Sequence, residues 1–169
     1  MALNKHIGEQ KQFDDITLIS FRRELNQKSA QHAICRVAAL EELGEMREFV
    51  ETVGQYYNLK HEDIFAFKLA VDEICANIIQ YGREDGNQNY ISLFFNVQSE
   101  TARLTIRDAG KQFSIEEARV PDLEADWDER EIGGLGIYFV NELMDRVTYN
   151  RENGINVLIL EKKTSSLRQ

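Results

Sequence analysis

The chain reads as an α+β protein: a mixed, mostly antiparallel sheet with helices packed on one face. Three observations predict this. Residues 43–57 and 62–81 space their apolar side chains by three and four, as helices do. Two later pairs of β-branched and aromatic stretches are each joined by a short turn, as hairpins are. The edge-sharing strand–helix–strand rhythm of a parallel dinucleotide-binding sheet is absent, which leaves strands grouped beside helices.

Each element follows in order. Residues 1–13 are polar, with the composition of a poorly ordered terminus. Ile16 to Phe21 (ITLISF) reads as a strand, Arg22 to Gln31 as a polar linker, and His32 to Leu40 (HAICRVAAL) as a candidate strand. Leu43, Met46, Val50, Val53 and Tyr57 form the stripe of an amphipathic helix. A second helix runs from about Glu62 to Tyr81, with Phe67, Ala70, Ile74, Cys75 and Ile78 as its core stripe and Gly82 as its stop. Asn89 to Val97 and Ala102 to Arg107 form one hairpin, with its turn at Gln98 to Thr101. Ala109 to Ile132 lacks periodicity and holds the only proline, Pro121; segments of this kind are lids, binding loops or disordered stretches. Gly133 to Gly136 opens a helix through Met144. Arg146 to Tyr149 and Ile155 to Glu161 close the chain as a hairpin around Glu152-Asn153-Gly154. The domain expectation is a tail over 1–30, one domain over 31–163 and a short tail over 164–169.

Composition narrows the function. A chain of 169 residues, 43% of them hydrophobic, fits one globular domain with a real core. No apolar run approaches the roughly 18 residues of a membrane span, and the first twenty residues lack a signal-peptide pattern. Cys35 and Cys75 lie in apolar patterns, which reads as buried free thiols in a reducing cytoplasm; no Cys/His cluster suggests zinc. The net charge of -9 argues against nucleic acid as a partner. Eight acidic residues and two arginines between Glu116 and Glu131 concentrate that charge, as a solvated loop does.

The chemistry lies in three places. Glu73 and Asn77 sit four apart, on one helix face, one turn apart. A hard cation such as Mg2+ takes oxygen ligands, and a carboxylate beside it can act as a base; alone, the same pair is what a solvent-facing helix edge carries. Asp108-Ala109-Gly110 ends a strand, where a carboxylate can accept a hydrogen bond from an exocyclic amine and a glycine leaves room for a flat ring; Asp and Gly are also ordinary turn residues. Gly133-Gly134-Leu135-Gly136 precedes an apolar helix, so close backbone approach and a helix N-terminus suit a polyphosphate, while a hinge would use the same glycines. There is no Walker-type phosphate loop.

Together, LAVDEICANIIQYG, LTIRDAGKQF and GGLGIYFVNELMDRVTYN resemble the three nucleotide-binding boxes of the GHKL ATPases. Within that superfamily the chain is most similar to the anti-sigma-factor serine kinases of bacterial partner switching, over about residues 31 to 163. The resemblance implies a Bergerat-type two-layer sandwich that binds ATP and Mg2+. It implies Asn77 as a Mg2+ ligand, Glu73 as general base, and Asp108 as reader of the adenine amine. Gly110 would line the base pocket, Gly134, Leu135 and Gly136 would hold the phosphates, and residues 111–132 would be the lid. The implied partners are an anti-sigma-factor antagonist, a sigma factor and a second copy of the chain. One departure is visible: where these kinases often carry His four positions beyond the asparagine, this chain has Tyr81. His6, His32 and His61 sit in no phospho-acceptor context, which disfavours the histidine-kinase branch.

Gln12 to Ser20 (QFDDITLIS) resembles the closing segment of PPM-type serine phosphatases, with Asp14 at the metal-binding position. The resemblance implies the tail of a phosphatase–kinase fusion. Too few ligands accompany Asp14 for phosphatase activity here. Trp127 in the acidic stretch is a candidate docking anchor, and Arg119 and Arg130 are candidate phosphate or partner contacts.

Overall fold

The three-and-four spacing of residues 43–57 closes into helix α1 (Leu43–Tyr56), which buries Met46, Val50 and Val53. This helix and the others come from a computed structural model that describes residues 31–82, 89–112 and 135–164. The expected strand at 16–21, the lid from residue 113 onward, Asp14, Trp127, Arg119, Arg130, Gly133 and Gly134 lie outside the described residues, as does the side chain of Leu135.

The end of α1 shows why the chain turns there. Asn58 takes a positive φ of 53°, and the Leu59 N–H returns to the Gly54 carbonyl at 2.9 Å. This is the left-handed C-terminal stop that glycine and asparagine favour. Leu59 is buried beyond it, so the stop is sealed by an apolar contact. Helix α2 (His61–Tyr81) follows at once, with Glu62 and Asp63 in its first turn, where negative charge suits the helix dipole.

Five strands form one sheet: β1 (His32–Val37), β2 (Tyr90–Gln98), β3 (Thr101–Asp108), β4 (Arg146–Glu152) and β5 (Ile155–Lys163). Their spatial order is β1-β2-β3-β5-β4, and every described pairing is antiparallel. Both hairpins turn on two residues with positive φ, Ser99-Glu100 and Asn153-Gly154. Such turns match the twist of the strands they join.

Alternation decides which side chains enter the core. Ile91, Leu93 and Phe95 on β2, and Ala102, Leu104 and Ile106 on β3, face the helices and are fully buried. The predicted α2 stripe packs against them: Phe67, Ala70, Ile74, Cys75 and Ile78 all belong to the same core. The Phe67 and Phe95 rings meet edge-on, 5.0 Å apart at 83°. Such a contact adds about 0.5–1.5 kcal/mol beyond area burial. The short helix α3 (Leu135–Leu143) packs on α2 and buries Val140 in the core. Two layers result, helices on one face of an antiparallel sheet, as the sequence predicts.

Candidate active site

Asp108 is the last residue of β3, and it is buried at 6% exposure. A buried carboxylate needs donors. Its Oδ1 accepts from the Gly110 N–H at 2.7 Å, from Asn156 at 3.1 Å and from Asn89 at 3.4 Å. Among the described residues its other oxygen, Oδ2, takes no hydrogen bond.

Asp108 lines a small hollow of about 20 Å³ between α2 and the sheet. The other walls are Ile74 and Ile78 of α2, Ile106 of β3, Tyr149 of β4, and Asn156 and Leu158 of β5. That space is about enough for one water, so a larger guest needs the walls to part. The walls are mostly apolar, with Asp108, Tyr149 and Asn156 as the polar members.

Gly110 is absent from this lining. A Cβ there would run into the Gly82 carbonyl and come within 2.8 Å of Asp108 Oδ1 and 2.9 Å of Asn89 Nδ2. The missing side chain therefore lets the turn after β3 press against the end of α2. The Lys111 N–H binds the Gly82 carbonyl at 2.9 Å, and the Ala109 N–H binds Asn89 Oδ1 at 3.1 Å. Gly82 stops α2 as expected, in a right-handed conformation with φ of -79°. Its need for glycine is steric, since a Cβ would stand 2.5 Å from the Ile78 carbonyl oxygen.

Glu73 and Asn77 are half-buried on α2, each one residue before a wall of the hollow, Ile74 and Ile78. The third expected place arrives from α3. Gly136 lies directly against the Glu73 side chain: a Cβ at 136 would overlap the carboxylate and come within 2.8 Å of Glu73 Cγ. Tyr81 is 64% exposed and outside the hollow's lining. Thus α2 links the hollow at Asp108 with the first turn of α3.

A family model described as a histidine kinase-like ATPase domain matches residues 37–162. The chain belongs to this family. Its ATPase domain is 29% identical over 122 residues to the serine-protein kinase RsbW of Bacillus velezensis, covering 69% of this chain and 76% of that protein. It is 31% identical over 103 residues to the RsbW of Staphylococcus aureus, covering 57% of this chain and 64% of that protein. The fold resembles the RsbU and RsbW domains of Rv1364c from Mycobacterium tuberculosis, with a TM-score of 0.57 at 12% identity. That match covers 78% of this chain and 32% of the solved one.

In this ATPase domain, sequence reasoning missed the residues that support Asp108. Asn156 is buried at 4% exposure, and its side-chain oxygen accepts from the Tyr149 hydroxyl at 2.8 Å and from Arg151 at 2.5 Å. A signal existed. Asn156 stands in the inward phase of β5, in line with Leu158 and Leu160. A polar residue in an apolar phase demands partners.

Among the described residues, no three His, Cys, Asp or Glu side chains converge on a metal-sized point. A Mg2+ beside Asn77 would therefore take most of its ligands from phosphate and water, which is how this ion is commonly held. No described helix is long and apolar enough to cross a membrane.

Proposed function

We propose that the protein is an ATP- and Mg2+-dependent serine kinase of the anti-sigma-factor type, which phosphorylates an anti-sigma-factor antagonist. One observation carries the reading: a single helix, α2, borders both the largely apolar hollow ending at Asp108 and the first turn of α3 at Gly136. Base and phosphates of one nucleotide can then lie along the Glu73–Asn77 edge.

In this reading Asp108 Oδ2 accepts from the adenine amine, and the apolar walls hold the ring. Asn77 lends its side-chain oxygen to Mg2+, whose charge offsets that of the phosphates. Gly134, Leu135 and Gly136 admit the terminal phosphates to the N-terminus of α3. Glu73 takes the proton from a serine hydroxyl, the serine oxygen bonds to the γ-phosphorus, and the bond to the β-γ bridging oxygen breaks, releasing ADP. Alignment and charge neutralisation are most of what such a transfer requires. The proposed setting is the cytoplasm, with a second copy of the chain and a sigma factor as further partners.

The test is transfer of label from γ-labelled ATP to a cognate antagonist. Glu73→Gln should abolish transfer and keep nucleotide binding; transfer that survives would remove Glu73 as the base.

A second reading rests on Tyr81, which stands exposed where the related kinases often carry His. The domain would then bind ATP without turnover and regulate a partner or a fused phosphatase, whose closing segment residues 12–20 resemble. Nucleotide binding with no transfer to the correct partner would favour it.

A further inference from the structure

The hollow beside Asp108 has room for about one water, and a purine base is far larger, so a wall has to yield before a base can enter. Most of its walls are fixed. Ile74, Ile78, Ile106 and Leu158 are buried members of the main core. Moving any of them would open voids in close-packed surroundings. Asp108 is held by the Gly110 N–H, Asn156 and Asn89. Asn156 stands directly opposite Asp108 on β3 and Arg151 on β4. It is bonded to both of them and to the Lys111 carbonyl at 2.9 Å.

Tyr149 is the exception. It is half-buried and packs against the core from its margin. Its strand, β4, ends the sheet order, and among the described strands only β5 pairs with it. No residue of β4 is buried: Arg146, Thr148, Asn150 and Glu152 are exposed, and Val147, Tyr149 and Arg151 are half-buried. A ring on such an edge can turn about χ1 to another staggered position while the backbone ladder stays intact. The Tyr149 hydroxyl donates to Asn156 Oδ1 at 2.8 Å, a bond that keeps the ring in place as a wall. Little opposes its release. Turned outward, the hydroxyl exchanges this bond for water at a small net cost, and Asn156 Oδ1 keeps Arg151 as a donor.

We propose that Tyr149 is the gating residue of the base site: its ring closes the hollow in the empty protein and turns outward to admit the purine. The inference rests on the reading above, in which the hollow takes the base. The open form is then a minor population of the empty protein, and nucleotide binding is weakened and slowed by its fraction. Tyr149 controls entry of the base and stands apart from the Glu73–Asn77 edge where the phosphates would run.

The experiment follows a ribose-labelled fluorescent ATP with Mg2+ binding to the full chain in stopped flow. Wild type, Tyr149→Phe and Tyr149→Ala are compared, with circular dichroism as the check on folding. Tyr149→Phe keeps the ring and loses its bond to Asn156, so association should quicken about fivefold, the factor one neutral hydrogen bond is worth. Tyr149→Ala removes the ring and should quicken association at least as much. Where transfer is measured, kcat at saturating ATP should hold. A purely structural role would lower the urea midpoint and leave the association rate as it was. An association rate that fails to rise in either folded variant overturns the inference while leaving the base-site reading intact. If Tyr149→Ala does not fold, Tyr149→Phe decides alone. Wild type that binds no ATP overturns this inference and the base-site reading together.

Discussion

The carboxylate of Glu73 rests against the α-carbon of Gly136, so closely that a methyl group at 136 would occupy the same space. The two residues come from different helices, and their contact brings the candidate base to the first turn of α3.

Gly136→Ala should therefore destabilise the fold by about 1–3 kcal/mol, the usual range for overpacking. Ala is otherwise the better helix residue, by about 1 kcal/mol. In a Glu73→Ala background the overlapping atoms are gone, and the same substitution should become neutral or stabilising. Urea unfolding of the four variants reads the coupling. Equal cost in both backgrounds would show that the contact does not exist.

Asn77→Ala separates metal from base. If Asn77 lends an oxygen to Mg2+, the substitution should weaken ATP binding about tenfold with Mg2+ present, one charge-assisted contact's worth. With EDTA in place of Mg2+ the two proteins should bind alike. Equal losses in both conditions would point to a role in shaping the helix edge.

His32 predicts a pH effect with a definite sign. It is packed against the Tyr56 and Tyr57 rings, 5.1 and 5.5 Å away, and burial pushes its imidazole below its ordinary pKa of 6.5. The unfolded chain therefore takes up the proton first as pH falls. Stability is fully present above pH 6.5 and declines as pH drops toward the lowered folded value. Urea midpoints at pH 7.5 and 5.5 should drop more for wild type than for His32→Phe, which keeps the ring packing. Identical drops would assign the pH dependence to other groups.

The two cysteines should react very differently. Cys75 is fully buried, and desolvation, with the nearby charges of Asp72 and Asp108, pushes its thiol far up. Cys35 is half-buried in β1, 3.4 Å from the Ser92 hydroxyl. A thiol reagent at pH 8 should modify one equivalent in the native protein, at Cys35, and the second only on adding denaturant. Two equivalents lost at one rate under native conditions would contradict the placement of Cys75.

Local patterns carried most of the fold. The α1 stripe predicted that Met46, Val50 and Val53 would be buried, and they are. The Asn153-Gly154 pair predicted the turn between β4 and β5, and both residues have positive φ. The place of Asp108 at the end of β3 and of Glu73 and Asn77 one turn apart on α2 was legible for the same reason, since motif and helical period are written in consecutive residues. Gly110 was legible as a special position but not for its cause, because the Gly82 carbonyl that excludes a Cβ belongs to another element.

The sequence by itself determined the helices and hairpins and their inward faces, because periodicity and turn chemistry act over a few neighbouring residues. Only the tertiary structure decided that Arg151, Asn156 and Asp108 form one row and that Gly136 closes on Glu73. Strand register and helix packing set those meetings, and they join residues whose separation along the chain says nothing about their separation in space.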